Sequence, residues 1–132
     1  MTTGTSTPST DGAPKVQQGL ANALRTAAMA YPGVEEHFPW GESAFKIKGK
    51  VFLFMHQGTE VFGLSCKLPE SRHAALSLPF AEPTGYGLGK SGWVSSRFVG
   101  ADAPPLELLL DWVDESFRAV APKKVVAALP PR

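Results

Sequence analysis

The sequence predicts an α+β domain, an antiparallel sheet of about five strands with helices packed mainly on one face. Three observations carry this reading. Ser43 to Lys67, SAFKIKGKVFLFMHQGTEVFGLSCK, reads as three strands joined by two tight turns, at Lys48-Gly49-Lys50 and at His56-Gln57-Gly58-Thr59. Pro105 to Val120 carries an apolar stripe at helical spacing, through Leu106, Leu109, Leu110, Val113, Phe117 and Val120. The element order is helix, three strands, helix, one or two strands, helix, helix, and hairpin strands with helices between them argue α+β.

Residues 1–14, rich in Thr, Ser, Gly and Pro, cannot bury enough surface to offset their ordering entropy and read as a disordered tail. The single domain spans 15–132. Its first helix runs from Val16 to Ala30 and ends at Tyr31-Pro32-Gly33. Val34 to Gly41 reads as an irregular connection, with Glu35, Glu36 and His37 exposed and Phe38 and Trp40 packing inward against the sheet end. In the first strand of the hairpin run, Phe45 and Ile47 alternate with Lys46 and Lys48. Val51 to Met55 is apolar throughout, which suits a middle strand. Leu68 to Pro79 is a short helix bounded by prolines. Phe80 to Gly89 is a Gly- and Pro-rich loop leading into a strand at Lys90 to Val94, with Trp93 to Val99 as its main body. A last short helix covers Lys123 to Leu129.

Composition narrows the function classes. The net charge is +1, too small to imply a polyanionic partner by itself. Its distribution is uneven. Lys46, Lys48, Lys50, Lys67, Arg72, Lys90 and Arg97 outnumber Glu60, Glu70 and Glu82 in the sheet region. Asp102, Glu107, Asp111, Asp114 and Glu115 follow without a basic residue, and this acidic run reads as a solvated helix face. No apolar run approaches the ~20 residues of a membrane span. No signal pattern opens the chain, and the lone Cys66 fits a reducing compartment, so a cytoplasmic protein is expected.

Catalytic constellations are not evident, and no enzyme, metal or cofactor is expected. His37, His56, His73 and Cys66 lack the close spacing of zinc ligands. Cys66 sits mid-strand among apolar residues and reads as a small buried filler. The GYGLG segment at Gly85 to Gly89 lacks the spacing of a phosphate-binding loop.

Several segments together resemble the MmcQ/YjbR family of small bacterial proteins. They are Tyr31-Pro32-Gly33-Val34-Glu35-Glu36, His37 to Gly41, Ser43 to Ile47, Gly49-Lys50-Val51-Phe52, Leu64 to Leu68, Gly92-Trp93-Val94 and Asp114-Glu115-Ser116-Phe117. Where the family often has Ser-Tyr, this chain has Ser116-Phe117. The resemblance implies a CyaY-like arrangement and a "double wing" DNA-binding role, in which two hairpins act as wings. The first wing is the hairpin through Gly49, with Lys46, Lys48 and Lys50. The second is the loop and strand from Gly85 to Arg97, with Lys90 and Arg97. Lys67 lies between them, and Trp93 is a candidate to stack on a base. The partner is then double-stranded DNA, bound by a monomer or weak dimer. The alternative is a protein- or small-ligand-binding module without nucleic-acid affinity, using the sheet face with Phe38, Trp40 and Trp93.

Overall fold

The computed structural model describes residues 8–38, 42–58, 61–85, 87–99 and 104–132, with side chains from residue 18 onward. Helix α1 (Pro8–Met29) starts earlier than the apolar spacing suggests. Pro8 to Pro14, read from composition as tail, is helical, and Pro8 fits a first turn where its missing N–H needs no partner. The rest of the expected tail, residues 1–7, lies outside the described residues. Then come strands β1 (Val34–His37), β2 (Ser43–Ile47), β3 (Lys50–Gln57) and β4 (Val61–Lys67), helix α2 (Arg72–Leu76) and strand β5 (Ala81–Pro83). A 3-10 turn (Leu88–Ser91), strand β6 (Trp93–Val99) and helices α3 (Leu106–Val120) and α4 (Lys123–Ala127) complete the chain.

The six strands form one sheet in the order β1-β2-β3-β4-β6-β5, and every neighbouring pair is antiparallel. Two strands replace expected loops. Val34–His37 pairs with β2 instead of running irregularly, and Glu36 faces inward, where its carboxylate meets Arg25 of α1 at 3.1 Å. Ala81–Pro83 is an edge strand, a place where proline costs no ladder bond. Lys90 and Ser91, expected in a strand, belong to the 3-10 turn instead.

One face of the sheet carries the core. Phe45, Leu53, Leu64, Cys66, Val94 and Phe98 are buried there with Leu24 of α1, Ala75 of α2 and Leu109, Val113 and Phe117 of α3. The register slips between Phe45 and Lys46, so Phe45 faces Leu53 and Lys46 faces Val51. Phe52 is the extra residue of this bulge, and both it and Leu53 are fully buried. Among the described residues no helix is long and apolar enough to cross a membrane.

Four consecutive residues of α3 hold the surrounding elements. Successive helical residues point about 100° apart, so such a run reaches four directions. Asp114 accepts a 2.6 Å hydrogen bond from the Tyr31 hydroxyl, just past α1. Glu115 accepts from the backbone N–H groups of Glu70 and Ser71, each at 2.9 Å, and from the Ser71 hydroxyl at 2.6 Å. The Ser116 hydroxyl accepts from the Lys67 N–H and donates to the Phe52 carbonyl. Phe117 stacks on Tyr31 at 4.4 Å and meets Phe52 edge-on at 5.1 Å. The reading of Asp114 and Glu115 as a solvated face is therefore wrong. Glu115 is only 4% exposed, and its carboxylate serves the start of α2, whose own Ser71 side chain makes no cap.

Candidate nucleic-acid interface

The β2–β3 turn is built from Lys48 (φ 52°) and Gly49 (φ 81°), both with left-handed backbone. That is the conformation a two-residue hairpin needs to match strand twist. Lys48 is the one non-glycine residue with positive φ among the described residues. Antiparallel pairing then fixes what lies at the same end of the sheet. Strand β3 starts at Lys50, β4 ends at Lys67, β6 starts at Trp93 and β5 ends at Pro83. The β2–β3 turn, the exit of β4 and the connection from β5 to β6 therefore share one end. Lys46, Lys48, Lys50, Lys67 and Lys90 all belong to this end. Lys48, Lys50 and Lys90 are exposed, while Lys46 and Lys67 are half-buried on the sheet face away from α1 and α3. In the sheet order, the two turns are three strand spacings apart, or about 14 Å.

One acidic group, Glu35, also reaches this end. Glu35 pairs in register with Lys46, and it lies 3.2 Å from His37. Together with Gly33, Lys48 and Gly49 these residues line a hollow of about 450 Å³. Arg97 stands apart. Four residues beyond Trp93, it lies about 13 Å further along β6, towards the opposite end. Trp93 is 7% exposed, with its ring against Phe54 at 5.6 Å, so it offers no free face to a base. It is a packing residue of the outer sheet face.

Of the alternative aromatic site, Phe38 and Trp93 are not brought together. Phe38 follows β1 at the end of the sheet away from the two turns and is 68% exposed, not packed inward, while Trp93 is buried on β6. Trp40 lies outside the described residues. His37, His56, His73 and Cys66 sit on four separate elements, and no group able to hold a metal forms among the described residues. Burial, with the Glu115 carboxylate nearby, pushes the Cys66 thiol well above its ordinary range, so it remains an unreactive thiol.

Comparison with known proteins completes the placement. A search of curated proteins found no match. The crystal structure of the Deinococcus radiodurans protein DR2400, which carries the DUF419 family domain, is similar, with 26% sequence identity and a TM-score of 0.63. The likeness covers 79% of this chain and 80% of that one. The YjbR family model matches residues 29–119, from the end of α1 through most of α3 and so through the whole sheet. The chain belongs to the YjbR family.

Proposed function

We propose that this protein is a non-enzymatic, cytoplasmic DNA-binding protein that grips the phosphate backbone of a duplex with two hairpin wings. One observation carries the reading: the two turns leave the same end of the sheet, each bearing lysine, with Lys67 between them. Their separation of about 14 Å is close to the ~12 Å width of the major groove, so each turn can meet one strand's phosphates. Lys48 adds support. Holding a lysine in left-handed backbone costs about 1 kcal/mol that glycine would avoid, which is consistent with a side chain kept for its charge. No described helix concentrates base-reading cations, so the contacts are with phosphate and the sequence preference is weak.

The test is fluorescence anisotropy with a labelled mixed-sequence duplex at low salt. The wild-type protein binds, and Lys46→Glu/Lys48→Glu/Lys50→Glu weakens binding by at least about tenfold while remaining folded by circular dichroism. Equal binding by the variant contradicts the wing reading.

A further inference from the structure

The outer face of the sheet also holds a cleft, toward the end opposite the two turns. It measures about 420 Å³ and opens over β3, β4, β6 and β5. Its floor is made of small residues, Gly63, Ser65 and Ser95. Its walls carry Phe54 and His56 on one side and Glu82 and Arg97 on the other. The register explains the grouping. His56 faces Gly63, which faces Arg97, and in the adjacent rung Phe54 faces Ser65, which faces Ser95, itself paired with Glu82.

Three features of this cleft point to a ligand. The hydroxyls of Ser65, Ser95 and Thr84 form a chain, at 2.7 and 2.9 Å. Three hydroxyl hydrogens share two bonds, which leaves hydrogen-bonding capacity unused in a chain whose two serines line the cleft. Arg97 and Glu82 are of opposite charge and are diagonal neighbours on one face, about 7–8 Å apart, yet no ion pair joins them among the described residues. Glu42 lines the cleft as well, so its charge is mixed, which disfavours a polyanion and favours a partner carrying both signs.

We propose that this cleft binds a small zwitterion of the α-amino acid class, its carboxylate on Arg97 and His56, its ammonium on Glu82, over the hydroxyl floor. Adjacent opposite charges on the ligand match adjacent opposite charges on the wall. The site uses none of the lysines of the two turns and is independent of DNA binding.

The probes are the free α-amino acids, each with its N-acetyl and carboxamide derivatives, titrated to about 10 mM while amide shifts are followed by NMR. At least one free amino acid shifts the Gly63, Ser65 and Ser95 amides, and both of its derivatives bind at least about tenfold more weakly, since each lacks one charge. Arg97→Gln, at an exposed position, weakens the response by a similar factor. Gly63→Val, which raises the floor, abolishes it. Silence of the floor amides to every free amino acid overturns the proposal, and so does equal binding of parent and derivatives. Duplex binding, measured in the same samples, is unchanged by Gly63→Val.

Discussion

Lys48 sets function against stability at a single residue. Its φ of 52° is the conformation glycine adopts without strain. Lys48→Gly is expected to raise stability by up to about 1 kcal/mol in urea unfolding while weakening duplex binding. A variant that is more stable and binds equally well would show that the lysine charge is not used. Asp114 and Tyr31 give a second residue-level expectation. Burial alone raises the Asp114 carboxyl, but the Tyr31 hydroxyl, Arg132 and Arg118 outweigh it and hold the group below its ordinary range. Burial, then the bond to Asp114, raises the Tyr31 phenol. A depressed carboxyl gives stability that is present above the unfolded pKa near 3.9 and lost as pH falls through the folded value. A raised phenol gives stability that is present below about pH 10 and lost above it, because the unfolded chain then releases its proton first. Tyr31→Phe should cost about 1 kcal/mol at neutral pH and flatten the alkaline arm of the stability profile. An unchanged alkaline arm in this variant would remove Tyr31 as its source. Glu115 was not legible from the sequence. Helical spacing puts Leu109, Trp112, Val113, Ser116 and Phe117 on the buried arc, and Glu115 flanks it on the side where α2 begins. Only the position of α2, a tertiary fact, turns that flank inward.

At the scale of elements, the main hairpin run and α3 were readable because their apolar periods are strong. Strand β1 was not. Its inward positions are Val34 and Glu36, and a carboxylate facing Arg25 breaks the alternation that marks a half-buried strand. Strand β5 was hidden by Pro83, which argues against a central strand and is silent about an edge. The bulge at Phe52 has a further consequence for the β3–β4 ladder. The last register pair is Leu53 with Cys66, and one rung beyond it the Ser116 hydroxyl relays between the Lys67 N–H and the Phe52 carbonyl. A side chain of α3 thus completes the sheet where the bulge interrupts it. Ser116→Ala leaves both buried backbone groups unpaired and should cost about 2 kcal/mol. Glu115→Ala strands three donors and should cost about 3 kcal/mol, with strong coupling to Ser71→Ala in a double-mutant cycle. Additive effects for Glu115 and Ser71 would mean that the carboxylate does not hold the start of α2.

For the whole molecule, the sheet divides the protein into a helix-covered face and an outer face with two distinct ends. The pattern of strands and helices anticipated the fold class, and the resemblance anticipated the family. It could not reveal that the turn through Gly49 and the connection before Trp93 emerge side by side, because that depends on strand order. The order β3-β4-β6-β5 brings together lysines that lie far apart in the chain. It also separates Arg97 from them, and it buries Trp93 at that end beside Lys67, so neither takes the place in the second wing that the resemblance implied. The most direct test of the two-turn account is the salt dependence of duplex affinity for wild type, Lys48→Gln/Lys50→Gln and Lys90→Gln. Removing one lysine–phosphate pair makes the slope of log K against log salt shallower by about 1. The account predicts a shallower slope in both variants, by about 2 for the first turn and about 1 for the second. A slope unchanged by either variant would contradict it.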